Sequence, residues 1–150
     1  MPQLNMDRLT KAHRSRIMAA VRGRDTTPEK IVRRLVHAMG FRFRLYRADM
    51  PGTPDLVLAR HRTVILVHGC FWHAHTCRHG RREPKSNVAF WRAKRSRNRQ
   101  RDREVRAVLR ALGWRVVTVW QCQTKHPDRL RARLSDELQG VRRRGRSLHP

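Results

Sequence analysis

Apolar and polar positions change period several times along the chain, and each change marks an element. Ile31, Val32, Leu35, Val36 and Met39 recur at helical spacing. A start signal precedes them: Thr26 and Thr27 as caps, an early Pro28, and Glu29 three residues after Thr26. Gly40 fits the stop. From Phe41 the period falls to two, with Phe41, Phe43 and Leu45 alternating with Arg42, Arg44 and Tyr46, as in a half-buried strand. Met50 to Pro54 is turn chemistry. Asp55 to Ala59 predicts a second strand, Arg60 to Arg62 a turn, and Thr63 to His68 a third strand. The run Val64 to Val67 is apolar on both faces and belongs at the centre of a sheet. Ser86 or Asn87 caps a helix carrying Ala89, Phe90 and Trp91, and a charge-dominated segment follows over 92–104. Val105, Val108, Leu109 and Leu112 mark an amphipathic helix closed by Gly113. Arg115 to Trp120 predicts a fourth strand and Pro127 to Leu138 a last helix. Ahead of all these, His13 to Val21 predicts a short helix with Ile17, Met18 and Val21 on one side.

The order helix, three strands, helix, strand, helix predicts an α/β domain, a mixed sheet flanked by helices. That domain is expected over residues 13–138, between a flexible arm at 1–12 and a basic, disordered tail at 139–150. The order resembles the α-β-β-β-α-β core of restriction-endonuclease-like nucleases, although many α/β domains share such a string.

Charge narrows the partners. The 150 residues hold 36 Lys plus Arg against 11 Asp plus Glu, a net charge of +25. Such an excess points to nucleic acid, because each phosphate neutralised releases counterions. Codon bias would raise Arg but would not remove acidic residues as thoroughly. The first residues carry no apolar leader, and the Val64 to Val67 run is too short to cross a membrane. A cytoplasmic chain is therefore expected. Its thiols stay reduced, so clustered Cys and His favour metal over a disulfide.

The stretch from His68 to Cys77 is dense in both residues, and Cys122 follows the fourth strand. Cys70, His75, Cys77 and Cys122 would make a closed Cys₃His zinc site tying the loop after strand three to the end of strand four. With no open position, such a zinc is structural. The alternatives are unpaired buried thiols on a solvated loop, or His68 and His73 as substitute ligands.

Four residues suit phosphodiester hydrolysis. Asp55, at a strand start, is accessible to a hard cation such as Mg²⁺. Glu29 lies in the first turn of a helix, His68 ends the central strand, and His73 is on the adjoining loop. Carboxylates, imidazoles and Mg²⁺ can activate water, neutralise the scissile phosphate and assist the leaving oxygen. Individually, Glu29 also reads as a helix-capping carboxylate and Asp55 as a turn residue. Phe71 and Trp72 stand between proposed ligands on a polar loop. They suit a wedge inserted between base steps, with Trp91 as a third candidate, or else a small core over the zinc. Trp114 and Trp120 read as core.

At these residues a resemblance becomes specific. Pro51-Gly52-Thr53-Pro54-Asp55, Val67 to Cys77 and Gly113 to Cys122 resemble signatures of the very-short-patch (Vsr) DNA mismatch repair endonucleases, and Arg24 to Glu29 is also similar. The likeness covers roughly residues 10–138. It implies a variant restriction-endonuclease-like fold and a nick 5′ of the mispaired T in T·G mismatches, which arise when 5-methylcytosine deaminates. It implies that Asp55 binds Mg²⁺, that His73 activates or relays protons to the attacking water, and that His68 and Glu29 complete the site. It implies zinc on Cys70, His75, Cys77 and Cys122. Phe71, Trp72 and Trp91 would open the mismatch from the major groove, and Met18 would push in from the minor groove. The implied partner is double-stranded DNA containing a T·G mismatch, with other mismatch-repair proteins as further candidates. The chain is expected to act as a monomer in the bacterial cytoplasm, associated with the nucleoid. Two positions depart from the family pattern. Val67 stands where the family often carries Thr, so it would serve the metal through its carbonyl alone, and Ala74 interrupts a run of His. Two other readings stay open: a different nuclease on the same fold, without need of the wedge, and a zinc-stabilised DNA-binding module without catalysis.

Overall fold

The computed structural model describes residues 24–146. The arm at 1–12, the helix expected at His13 to Val21 and Met18 within it lie outside the described residues. Four strands form one sheet in the order β1-β2-β3-β4: β1 (Arg44–Leu45), β2 (Leu56–Leu58), β3 (Thr63–His68) and β4 (Arg115–Trp120). β1, β2 and β3 pair antiparallel in sequence, and β3 pairs parallel to β4, with Thr63 opposite Arg115 and His68 opposite Trp120. Three helices cover the sheet: α1 (Thr27–Ala38), α2 (Val88–Ala111) and α3 (Pro127–Arg146). The expected mixed sheet flanked by helices is what the chain forms.

The strand period of two sorts the core into two layers. Leu56, Leu58, Ile65, Val117 and Val119 face α1 and α3, meeting Val32, Val36, Leu130, Leu134 and Leu138. Val57 and Val64 face the other way and pack with Met50 and Leu109, flanked by Val105, Trp114 and Val116, under α2. By the same alternation His68 shares the α2 face with Val64, which decides its neighbours below.

Three elements differ from the expected boundaries. The first strand shrinks to Arg44–Leu45, because Phe41, 2% exposed, already turns into the α1 core. The charged segment 92–104 is helix, so two short predicted helices merge into the 24-residue α2. Arg, Lys and Gln are nearly as good helix formers as Leu, and tertiary anchoring at Trp91 and Leu109 suffices to hold the ends. For the same reason α3 runs past Leu138 to Arg146, into the stretch read as a disordered tail. Among the described residues, no helix is long and apolar enough to cross a membrane.

Candidate active site and metal centre

The sheet topology collects the chemistry at one edge. β3 and β4 run parallel and end together, and the antiparallel β2 begins there. Asp55, one residue before β2, consequently meets the end of β3: its Oδ2 accepts the Val67 N–H at 2.7 Å. Burial pushes the Asp55 carboxyl up to about 6; the Val67 hydrogen bond opposes this, the Glu29 charge adds to it, and Arg33 and His73 oppose it. Those influences show that Glu29, Arg33 and His73 lie within electrostatic reach of Asp55.

Glu29 is 3% exposed in the first turn of α1. Its N–H caps on Thr26 Oγ1 at 3.4 Å. Its carboxylate does not close a capping box on Thr26; it accepts the N–H of Asp25 at 3.0 Å, together with bonds from Arg33 and Tyr46.

His68 and His73 stack with ring centroids 4.0 Å apart and planes 4° from parallel. Both face Asp102, a residue that sequence reading passed over. Asp102 Oδ2 lies 2.5 Å from His73 Nδ1, and Oδ1 lies 3.9 Å from His68 Nε2. An ionised carboxylate only accepts, so the proton in this contact is on Nδ1 of His73, and Nε2 is the ring nitrogen left to face away from Asp102. Burial raises Asp102, but the His73 hydrogen bond and the His68, His73 and Arg106 charges outweigh it and hold the carboxyl below its ordinary range. Burial and the His73 charge push His68 down to about 4, against the pull of Asp102, so it is neutral near pH 7. The signal in the sequence was slight: an Asp, a poor helix former, among the arginines of 92–104. Its meaning needed α2 to be continuous and to cross the face carrying His68.

The predicted zinc ligands come together. The ligand atoms of Cys70, His75, Cys77 and Cys122 lie within 4.8 Å of one another, with Cys122 Sγ 3.6 Å from His75 Nδ1. Tetrahedral zinc with thiolate bonds near 2.3 Å needs sulfurs about 3.8 Å apart, so the donor set fits. Main-chain N–H groups face two sulfurs: Cys122 N–H on Cys70 at 3.3 Å and Gly80 N–H on Cys77 at 3.4 Å. Gly80 is required there, since a Cβ would stand 1.9 Å from the His75 carbonyl oxygen. Burial pushes the Cys70 thiol up to about 12. Burial acts the same way on Cys77, but hydrogen bonds from His75, Gly80 and Cys70 win and bring it to about 6. One pre-ionised thiol in such a set suits capture of a cation. The His68, His73 and Asp102 ligand atoms also lie within 4.8 Å of one another. Asp55 offers carboxylate oxygens with the Glu29 charge within electrostatic reach, a donor type that suits a hard divalent cation.

Trp120 connects the two centres. Its indole stacks on His75 at 4.2 Å and meets His68 edge-on at 5.3 Å. Phe71, Trp72 and Trp91 form one aromatic cluster, with centroids 5.5 to 5.8 Å apart. Trp91 is 8% exposed, while Phe71 and Trp72 are half-buried. Lys94 lies 5.4 Å from the centroid of the Trp72 ring, and Asn98 donates to the Trp72 carbonyl at 3.0 Å. A cavity of about 270 Å³ opens beside the cysteines, walled by Phe71 and rimmed by His79, Arg82 and Lys125.

Known proteins are similar to this chain in sequence. The family profile "DNA mismatch endonuclease Vsr" matches residues 6–79. The type II nicking enzyme V.XorIIP of Xanthomonas oryzae pv. oryzae is 50% identical over 132 residues, covering 88% of this chain and 96% of that one. The type II nicking enzyme V.NmeAIP of Neisseria meningitidis serogroup A is 38% identical over 129 residues, 86% and 91% of the two chains. The DNA mismatch endonuclease Vsr of Escherichia coli is 42% identical over 120 residues, 80% and 76% of the two. Sheet, site and relatives together define a DNA endonuclease of restriction-endonuclease-like fold. Within that class, the chain belongs to the Vsr DNA mismatch endonuclease family.

Proposed function

We propose that this endonuclease nicks double-stranded DNA on the 5′ side of the mispaired T in T·G mismatches, by Mg²⁺-dependent hydrolysis that starts very short patch repair. The observation that carries the chemistry is the pairing of His73 with Asp102 within electrostatic reach of the Asp55 carboxylate. The mismatch and nicking activities in the relatives' names support the substrate.

When bound, Mg²⁺ would neutralise the scissile phosphate and make water more acidic. Asp55 and the Val67 carbonyl would hold it, with Asp55 kept in place by the Val67 N–H. His73 takes the proton of the attacking water on Nε2, since Nδ1 is committed to Asp102. The imidazolium so formed is stabilised by Asp102 and meets a neutral neighbour in His68, whose parallel ring also fixes the plane of His73. Glu29 adds negative charge beside Asp55. Cys70, His75, Cys77 and Cys122 would hold a structural zinc that pins the loop bearing Phe71, Trp72 and His73. Phe71 and Trp72, backed by Trp91, would enter the base stack at the mismatch, and Met18 would act from the opposite groove. The protein works as a monomer in the cytoplasm, on the nucleoid, and other mismatch-repair proteins are candidate partners.

Asp55→Ala tests the active site directly. The variant is expected to fold, to bind mismatched duplex as wild type does in EDTA, and to lose nicking in Mg²⁺. Unchanged cleavage would remove Asp55 from the mechanism.

A further inference from the structure

Three donors converge on one oxygen at the start of α1. Glu29 Oε2 accepts the Asp25 N–H at 3.0 Å, Arg33 Nη2 at 3.2 Å, and a short hydrogen bond from the Tyr46 hydroxyl. The direction of the phenolic proton follows from Tyr46's other partners. Its oxygen accepts from Asp25 N–H at 2.7 Å and from Arg33 Nη2 at 2.5 Å, groups that can only donate. The proton is left for a carboxylate, and Glu29 Oε2 is far nearer than Asp25 Oδ1 at 3.4 Å. Arg33 closes the ring with Nη1 on Asp25 Oδ1 at 2.8 Å. None of these bonds falls on Glu29 Oε1.

The cluster is held against local preference. Asp25 and Tyr46, with φ of 56° and 48°, occupy the left-handed region, which L-residues enter at a cost. These are two of the residues whose groups reach Oε2. Arg33 adds a second cost, a buried Nε with no hydrogen-bond partner. Helix capping requires none of this, since Thr26 already takes the Glu29 N–H. Two of the six described non-glycine residues at positive φ and this orphaned Nε meet at one carboxylate oxygen, which points to a functional demand on that carboxylate.

We infer that Arg33 and Tyr46 are positioning residues of the nuclease site: they engage Glu29 Oε2 and so leave Oε1 as the oxygen that serves Asp55's divalent cation and its water shell. This rests on the proposal that Glu29 and Asp55 share one cation site. The Arg33 guanidinium, within electrostatic reach of Asp55, also offsets the two adjacent carboxylates.

Tyr46→Phe deletes one hydroxyl and keeps the ring that lies 4.8 Å from Arg24 and 5.4 Å from Arg33. Arg33→Lys keeps a charge but cannot bridge Asp25 and Glu29. For each full-length variant, Mn²⁺ binding without DNA is followed by water-proton relaxation, and single-turnover nicking is titrated with Mg²⁺. Both variants are expected to weaken Mn²⁺ binding, and to raise half-saturating Mg²⁺, by about tenfold, the effect usual for groups that orient metal ligands. Rates at saturating Mg²⁺ recover to within about threefold, because the lost interaction acts through the metal. Unchanged Mn²⁺ affinity in both variants, alongside a loss in Glu29→Gln, overturns the positioning role alone. Unchanged affinity in Glu29→Gln as well overturns the shared cation site and the inference with it.

Discussion

His73 Nδ1 and Asp102 Oδ2 stand 2.5 Å apart, joining the loop after β3 to the middle of α2. The contact fixes both the tautomer and the orientation of His73. Asp102→Asn replaces a pure acceptor by a group that can present either a donor or an acceptor, so the productive tautomer is no longer enforced. Single-turnover nicking should fall by about 10²- to 10⁴-fold, the range for general-base catalysis and its orienting carboxylate. Duplex binding in EDTA should be unaffected. A rate within about tenfold of wild type would remove Asp102 from the active site.

Asp55 and His68 predict opposite pH slopes. Asp55 titrates at about 6 when folded, against an ordinary 3.8. Between those values the folded chain binds a proton that the unfolded chain has released, so this group makes stability fall as pH rises. His68 titrates at about 4 when folded, against 6.5, so the unfolded chain binds the extra proton and stability rises with pH across that window. At pH 7 the ionised Asp55 costs up to about 3 kcal/mol without a cation, at about 1.4 kcal/mol per pH unit. Asp55→Asn should then melt higher than wild type in EDTA at neutral pH, by several degrees. The difference should shrink as pH falls towards 4. His68→Gln should show the reverse trend, and Mg²⁺ should raise the melting temperature of wild type but not of Asp55→Asn. A pH-independent difference would contradict the burial of these groups.

Zinc removal should reach the active site through Trp120. That indole stacks on His75 and lies edge-on to His68, while the same loop carries His73. Cys77→Ala is expected to lose zinc in atomic absorption, to melt lower, and to nick more slowly although no proposed catalytic group has changed. Full zinc content in this variant would exclude Cys77 from the ligand set.

The aromatic cluster divides by burial. Trp91 is 8% exposed and packs under Phe71 and Trp72, so Trp91→Ala should lower the melting temperature. Phe71→Ala, at a half-buried position, should leave folding nearly intact. It should reduce the preference for mismatched over matched duplex, measured as a ratio of dissociation constants at one fixed salt concentration. Equal loss on both duplexes would make Phe71 a general contact rather than a wedge.

The Cys/His cluster was legible because metal demands a narrow choice of residue types, and the density of Cys and His from 68 to 77 is visible without any fold. The strands were legible where the apolar run is plain, as in Val64 to Val67, which is buried on both faces. The length of α2 was hidden because its middle carries little apolar periodicity: its helicity comes from propensity and from anchors at Trp91 and Leu109. Asp102 was hidden with it, since its partners lie 29 and 34 residues away along the chain and meet it only where α2 packs on the face carrying His68. Tyr46 was read only as a polar position of a strand and Arg33 drew no reading, and only their shared approach to Glu29 Oε2 distinguishes them.

The most direct test of the proposed function is a nicking assay in Mg²⁺ on paired duplexes that differ only at one base pair, T·G in one and C·G in the other, across several sequence contexts. A single nick on the 5′ side of the T, in the mismatched duplex alone, is the predicted result. Equal cutting of both duplexes, or binding with no cutting of either, would contradict it.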